Sequence, residues 1–251
     1  MSADFQDRVV VVSGGSSGIG QAAAKLFAER GARVLITGRR SGDVEETAEA
    51  NPRMEGLVAD ASEPGDAPRT IARAVELWGR VDVLVNNAAA IAFMPLEEAD
   101  ADRVTSILAT NILGPTLLAK EVLPHLEATK GSIINVSSAA GRKTAPQVSH
   151  YAASKAALEH LTRCWAVELA SRSVRVNAVA PGPTSTGAFV RQTPMSPEEA
   201  EEVRQQELKE TPLGRLGTPE EVARWIVELA DPTADWVTGQ VLGVDGGFSI
   251  T

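Results

Sequence analysis

Short runs of β-branched and other apolar residues recur along the chain, and stretches of mixed apolar and polar residues separate most of them. Runs without apolar–polar alternation are typical of parallel strands buried on both faces. They lie at residues 8–12, 33–37, 57–59, 81–85, 131–136, 175–179 and 241–244. Helical patterns lie at residues 21–30, 64–78, 101–126, 149–170 and 219–229. This alternation predicts an α/β fold, a doubly wound parallel sheet of about seven strands with helices on both faces.

The domain organisation follows from length and continuity. The 251 residues contain no internal repeat and no low-complexity linker, so a single domain over residues 1–251 is expected. One polar, acidic and proline-punctuated stretch, residues 184–215, interrupts the alternation. A long insertion of this kind is typical of a lid over a substrate site. Together with residues 139–147 it is expected to set the substrate pocket.

Composition narrows the range of partners. The net charge of −9 argues against a nucleic-acid surface, which needs clustered Lys and Arg. The apolar fraction of 43% is ordinary, and no apolar run approaches the ~20 residues that span a bilayer. The three histidines have no metal-ligand spacing, so no metal site is expected. Small molecules remain the expected partners, with no role for nucleic acid or a membrane.

Cellular location is inferred from the N-terminus and the cysteine content. Residues 1–7 carry acids and lack the cationic and apolar regions of a signal peptide. Cys164 is the single cysteine, so no internal disulfide forms, which fits a reducing, cytoplasmic compartment. Its apolar helical neighbours Leu161, Trp165 and Leu169 favour a buried packing role over a nucleophilic one.

A glycine-rich turn lies between the first strand and the first helix, over residues 13–20. Glycines allow a tight turn and close approach of a ligand, and the helix N-terminus offers free N–H groups to a pyrophosphate. The residues expected to contact a dinucleotide here are Gly14, Ser16, Ser17, Gly18, Ile19 and Gly20.

The end of the second strand bears on the choice of cofactor. Dinucleotide folds that prefer NAD usually place an acid there, on the ribose 2′-hydroxyl. This chain has Gly38-Arg39-Arg40, and arginine can hold a 2′-phosphate by charge-assisted hydrogen bonds. The sequence therefore predicts NADP(H) rather than NAD(H), with Arg39 as the main contact and Arg40 as a second. The alternative is a pair of solvated loop charges.

Two further strand ends carry polar residues. Asp60 follows the third strand and could either accept a hydrogen bond from the adenine amino group or cap the next helix. Residues 86–89, Asn-Asn-Ala-Ala, follow the fourth strand at the edge where open α/β sheets bind ligands. These asparagines could hold neighbouring backbone rather than touch the cofactor.

Tyr151 is the only tyrosine, and Lys155 follows it by one helical turn on the same face. A nearby cation favours the phenolate and is expected to lower the pKa of Tyr151. A phenol tuned in this way can serve as a general acid or base on an alcohol or carbonyl. Asn111 lies inside a predicted helix, with Gly114 and Pro115 close behind. A polar residue there has either a task or satisfied hydrogen bonds in the core.

These motifs together resemble the short-chain dehydrogenase/reductase family over nearly the whole chain. The glycine turn resembles TGxxxGxG with Ser13 in place of threonine. Residues 86–89 resemble NNAG with Ala89 in place of glycine, and Pro181-Gly182 with Thr186 resembles PGxxxT. Order and spacing agree, including the interval from Ser138 to Tyr151.

The resemblance implies a dinucleotide-binding (Rossmann) fold and a catalytic tetrad of Asn111, Ser138, Tyr151 and Lys155. Tyr151 would exchange a proton with the substrate oxygen, which Ser138 holds. Lys155 would lower the Tyr151 pKa and hold the nicotinamide ribose hydroxyls, and Asn111 would anchor a water in a proton relay. The other implied cofactor contacts are Asp60, Ala61, Asn87, Ala88, Tyr151, Lys155, Pro181, Gly182, Thr184 and Thr186.

Together with the arginines after the second strand, the resemblance implies an NADP(H)-dependent oxidoreductase that acts on a secondary alcohol or its ketone. It also implies a homotetramer, built partly from helices at residues 103–126 and 149–170. Two alternatives stay open: reduction of a 3-oxoacyl thioester carried by an acyl carrier protein, and a catalytically silent, nucleotide-binding regulatory protein.

Overall fold

The computed structural model describes residues 5–186 and 196–251. Seven parallel strands form one sheet in the order β3-β2-β1-β4-β5-β6-β7, which confirms the predicted fold class. The strands are β1 (Val9–Ser13), β2 (Arg33–Gly38), β3 (Met54–Val58), β4 (Val83–Asn86), β5 (Ser132–Val136), β6 (Arg175–Pro181) and β7 (Val241–Val244).

Helices cover both faces of this sheet. They are α1 (Gly18–Glu29), α2 (Ser41–Glu49), α3 (Asp66–Trp78), α4 (Ala101–Leu108), α5 (Gly114–Thr129), α6 (Ser149–Leu169), α7 (Pro197–Glu210) and α8 (Pro219–Ala230). A π-helical turn, Ala109–Leu113, joins α4 to α5. The long helix predicted at 101–126 is thus one helical run, widened at Asn111. Within the described ranges, no helix combines the length and apolar character needed to cross a membrane.

The alternation of side chains along β1 builds two cores. Val10 and Val12 pack with Phe27 of α1 on one face of the sheet. Val9 and Val11 pack on the other face with residues of α3, α5 and α6. Both faces are therefore filled, and the crevice for a ligand lies at the carboxyl edge. The strand order reverses at this point, because β2 and β3 lie on one side of β1 and β4 lies on the other.

The insertion at residues 184–215 is more ordered than the sequence suggested, since α7 occupies 197–210. Ser196 and Glu199 form a reciprocal capping box at its N-terminus. None of its residues is buried, so the segment lacks the apolar stripe that identifies a helix in sequence. Residues 187–195 of the predicted lid lie outside the described part of the chain, and the role of the lid stays a prediction.

The prediction that Cys164 is buried is wrong, because its side chain is exposed. The buried face of α6 at this point runs through Leu158, Thr162, Ala166 and Leu169. Cys164 lies two residues from Thr162 and so points away from that face.

Candidate active site

The glycine turn is held by the segment that follows β4. Asn87 Nδ2 donates hydrogen bonds to the carbonyl oxygens of Ser13 (3.0 Å) and Gly14 (2.9 Å). A Cβ on Gly20 would lie 2.3 Å from that nitrogen, so only glycine permits this approach. Gly14 and Gly18 have φ values of 63° and 55°, which favour glycine. Asn87 thus holds neighbouring backbone, one of the two roles predicted for the asparagines.

Ser13, which stands where the family motif has threonine, uses its hydroxyl in three hydrogen bonds. Ser13 Oγ accepts from the backbone N–H groups of Asn87 (3.0 Å) and Ala88 (3.2 Å) and donates to Val85 O (3.3 Å). A Cβ on Gly14 would lie 2.9 Å from Ala88 Cα, so the two segments are in direct contact. The ends of β1 and β4 therefore form one rigid surface.

The remaining residues of the turn lead into α1. Ser17 precedes the first helical residue in an extended conformation and makes no side-chain cap. The side chain of Ile19 packs against the core, and its contact with a cofactor stays a prediction. Ser16 lies beside the end of β2, where a Cβ on Gly38 would come within 2.5 Å of its Oγ. The free N–H groups of the first turn of α1 are thus close to the arginines that follow β2.

The two arginines after β2 differ in their environment. Arg40 is held by Asp43, which accepts from both Nε (2.6 Å) and Nη2. Arg39 is 68% exposed, and its Nη1 is 3.9 Å from Asp60 Oδ2. Because this ion pair is long and exposed, Arg39 can reorient at little cost.

Asp60 mainly holds its own turn. Its Oδ1 accepts from the backbone N–H (2.9 Å) and the hydroxyl (2.7 Å) of Ser62. The alternative that Asp60 caps the next helix is wrong, since α3 begins at Asp66 after Gly65. Ala61 contacts the start of α5, where a Cβ on Gly114 would lie 2.3 Å from its carbonyl oxygen.

The segment after β6 closes onto the glycine turn. Thr184 Oγ1 donates to Gly182 O at 2.8 Å, and Thr186 lies against Gly18, where a Cβ would be 3.2 Å from Thr186 Cβ. Gly182 packs on Asp245, beyond the end of β7. The predicted pyrophosphate contacts in the glycine turn and the predicted cofactor contacts after β6 are therefore neighbours in space.

Asn111 lies fully buried in the π-helical turn. Its Oδ1 accepts from Ala90 N (2.8 Å), and its Nδ2 donates to Ala90 O (2.9 Å) and Ser154 Oγ (2.9 Å). Ser154 in turn donates to Tyr151 O at 2.6 Å. The side chain is thus a satisfied core asparagine that ties the segment after β4 to the helix of Tyr151. Its role as anchor of a water stays a prediction.

Ser138 and Tyr151 meet at the carboxyl end of β5. Ser138 Oγ caps the turn that follows it by accepting from Ala140 N at 3.2 Å. Burial raises the pKa of Tyr151, and the Ser138 hydroxyl next to the phenol, as a hydrogen-bond partner, lowers it by less. The predicted net lowering is therefore wrong for the protein alone, because loss of water around the phenolate outweighs the hydrogen bond.

Lys155 is 2% exposed on the inner face of α6. Its Nζ donates to Val136 O at 2.8 Å and lies 5.8 Å from the centre of the Tyr151 ring. Burial lowers the pKa of Lys155 from 10.5 to about 8. The ammonium group is therefore near the phenol but is itself costly to bury.

We expect Lys155→Met to stabilise the cofactor-free protein at pH 7. The lowered pKa corresponds to about 3 kcal/mol of unfavourable charge burial, less about 1 kcal/mol for the lost bond to Val136 O. The unfolded chain binds more protons than the folded one between pH 8 and 10.5, so wild-type stability rises there. The difference in free energy of unfolding between Lys155→Met and wild type should therefore be smaller at pH 9 than at pH 7, as measured by chemical denaturation.

The control is Lys25→Met, which removes an exposed lysine from α1 and should change stability little. A Lys155→Met protein less stable than wild type at both pH values would contradict the burial argument.

The inner face of α6 carries polar residues that were missed from the sequence. Besides Tyr151 and Lys155, they are Ser154, Glu159 and Thr162, all of them buried. Thr162 Oγ1 accepts from Asn135 Nδ2 of β5 at 2.9 Å. Their recurrence every three or four residues is the signal that would have identified this face.

The fold and site define a class of protein. A glycine turn opens a doubly wound parallel sheet, and a serine, a tyrosine and a buried lysine converge beside it. That combination is typical of a dinucleotide-dependent oxidoreductase.

Comparisons with known proteins identify the family. A family model described as enoyl-(acyl carrier protein) reductase matches residues 14–249. The 3-oxoacyl-(acyl-carrier-protein) reductase FabG of Thermotoga maritima is 38% identical over 98% of this chain and 99% of its own length. Cis-4-hydroxycyclohexanecarboxylate dehydrogenase of Sinomonas cyclohexanicum is also 38% identical, over 99% of each chain.

A crystal structure extends the similarity to three dimensions. It is a short-chain dehydrogenase/reductase of unknown function from Caenorhabditis elegans, solved with cofactor. It aligns with a TM-score of 0.91 and 35% identity over 99% of this chain and 97% of that one. The present chain belongs to the short-chain dehydrogenase/reductase family. It is therefore an oxidoreductase that uses a nicotinamide cofactor and acts on hydroxyl or keto groups.

Proposed function

We propose that the protein transfers a hydride between NADP(H) and a secondary alcohol or its ketone, with Tyr151 as general acid and base. The observation that carries this proposal is the placement of the Ser138 hydroxyl next to the Tyr151 phenol, with the buried Lys155 one helical turn further on. When bound, the nicotinamide supplies or accepts the hydride. The chain's own residues then have to move one proton and hold one oxygen.

Tyr151 is suited to donate that proton in reduction. Burial raises its pKa, so the neutral phenol is the form present at neutral pH. Ser138 Oγ can donate a hydrogen bond to the same substrate oxygen and stabilise its developing charge. Lys155 uses one of its three donors on Val136 O, which leaves two for ribose hydroxyls or a proton relay. In alcohol oxidation the roles reverse, and the reaction should become faster as the pH rises.

The residues along the carboxyl edge fit a dinucleotide with a 2′-phosphate. The first turn of α1 offers N–H groups to a pyrophosphate, and Gly14, Gly18 and Gly20 allow the turn its close packing on Ala88, Thr186 and Asn87. Arg39 follows β2 directly and is exposed enough to reach a phosphate on the adenosine ribose. These features support NADP(H) over NAD(H).

The test is turnover of NADPH and NADH by the purified protein with a panel of ketones, followed by cofactor absorbance. We expect oxidation of NADPH with at least one ketone and slower oxidation of NADH. Binding of NADPH without turnover on any substrate would favour the catalytically silent regulatory protein.

A second candidate is reduction of 3-oxoacyl thioesters. Two relatives carry that activity in their names, the Thermotoga maritima reductase and a ketoacyl reductase of granaticin polyketide synthesis from Streptomyces violaceoruber, 42% identical over 244 residues. Adding a 3-oxoacyl thioester to the panel, free and on an acyl carrier protein, separates the two candidates. A strong preference for the carrier-bound form would establish the second.

We also propose a cytoplasmic homotetramer. Apolar side chains are exposed on the predicted interface helices, at Leu108, Leu113 and Val167, and the exposed Cys164 precedes Val167 by three residues. Packing residues 103–126 and 149–170 between subunits would bury these groups. Sedimentation over a range of concentrations tests this proposal, and a monomer at all of them would contradict it.

A further inference from the structure

Segments on both sides of Ser138 meet at one buried carboxylate on α6. Glu159 is 4% exposed and lies one helical turn beyond Lys155. Its Oε1 is 3.3 Å from Ser137 Oγ, which donates to it, and its Oε2 accepts from Arg142 Nε at 3.2 Å. Arg163 contributes a longer ion pair at 3.8 Å.

The two closest partners of Glu159 bracket Ser138. Ser137 precedes it, and its hydroxyl is shared between Glu159 and Lys155 O (3.2 Å). Arg142 follows the short 3-10 turn Ala139–Gly141, whose first residue comes directly after Ser138. Both ends of the segment that carries Ser138 are therefore fastened to the helix that carries Tyr151.

The turn between these anchors lies directly on α6. A Cβ on Gly141 would be 3.1 Å from Ala156 N and 3.2 Å from Lys155 C. Arg142 also donates from Nη2 to Val241 O at 2.8 Å, so the same guanidinium ties the turn to β7. These contacts hold the turn against α6 and β7. The Glu159 carboxylate joins the two ends of the turn by bonding both Ser137 and Arg142.

We propose that Glu159 is a positioning residue for the reaction, which holds the Ser138 turn against α6 and so fixes Ser138 Oγ relative to the Tyr151 hydroxyl. The inference rests on the proposed function of those two residues. A displacement of about 1 Å at reacting groups can cost about 10²-fold in rate, so small movements of this turn are sufficient. Glu159 does not touch substrate in this account, and it acts only through Ser138.

The alternative is that Glu159 is a buried ion pair that stabilises the fold without influence on catalysis. The two accounts differ in what they predict for Tyr151. The bond from Ser138 lowers the pKa of Tyr151, so a loosened turn raises that pKa. A purely structural ion pair leaves it unchanged.

The test variant is Glu159→Gln, which preserves size but removes the charge that holds Arg142. We expect kcat for ketone reduction to fall about 10-fold with little change in KM for NADPH, since the glycine turn and Arg39 are untouched. The pH at which alcohol oxidation is half-maximal should move upward. Glu168→Gln, an exposed glutamate on the same helix, is the matched control and should behave as wild type.

A double-mutant cycle with Ser138→Ala tests whether Glu159 affects the reaction through Ser138. If Glu159 acts through Ser138, Glu159→Gln causes no further loss of kcat in the Ser138→Ala background. A full additional loss there, or an unchanged kcat and pH profile in the single variant, would overturn the inference. Should Glu159→Gln fail to fold, Arg142→Gln tests the same contact from the other side. Normal turnover by Ser138→Ala alone would instead overturn the proposed function.

Discussion

Replacement of Tyr151 by phenylalanine is expected to reduce turnover by about 10²- to 10⁴-fold, the range that a positioned general acid contributes. The variant loses only the hydroxyl next to Ser138, while the ring and its contact with Lys155 remain. The loss should appear in kcat for reduction and oxidation alike, since one proton moves in both directions.

Measuring cofactor affinity distinguishes a loss of catalysis in Tyr151→Phe from a loss of cofactor binding or of folding. Tyr151→Phe should bind NADPH with nearly wild-type affinity in a fluorescence titration, because the glycine turn and Arg39 are untouched. Its thermal stability should also be close to that of wild type. Turnover within twofold of wild type would remove Tyr151 from the catalytic role.

Replacement of Arg39 by alanine is expected to raise the KM or Kd for NADPH by about 10- to 100-fold and to leave that for NADH almost unchanged. Hydrogen bonds to a charged group contribute about 1.5–3 kcal/mol, and a 2′-phosphate offers such an acceptor only in NADP(H). The exposed side chain and its long ion pair with Asp60 mean that little stability is lost with it.

Two control variants make the result specific. Arg40→Ala should have a smaller effect than Arg39→Ala, because Asp43 already holds that guanidinium. Arg73→Ala removes an arginine of α3 that pairs with Glu76, far along the chain from β2, and should affect neither cofactor. Equal use of NADH and NADPH by the unmutated protein would contradict the assignment of Arg39.

The sequence was sufficient for the framework of the fold. Strands buried on both faces carry few polar positions, so Val9–Ser13 stands out by its four consecutive valines and Ser132–Val136 by three β-branched residues out of five. Helix α2 was missed because it buries only Val44 and Thr47 along its length. Helix α7 was missed because it buries nothing, and its capping box carries the only clear signal.

At the site, sequence spacing identified which residues lie close together, but not how burial and hydrogen bonds change their pKa values. The interval between Tyr151 and Lys155 predicts proximity, but it contains no measure of burial, which raises the pKa of one and lowers that of the other. Asn111 is conspicuous as a polar residue in a helix, yet its bonds to Ala90 and Ser154 require the fold. Glu159 resembles any helical glutamate until Ser137 and Arg142 are placed beside it.

The most direct test of the central claim is to follow the label from NADPH deuterated at the transferable position, using mass spectrometry of the alcohol formed by wild type and by Tyr151→Phe. The account predicts one cofactor-derived deuterium on the carbinol carbon with wild type and only traces of product with the variant. Product without the label, or equal amounts of labelled product from both proteins, would contradict it.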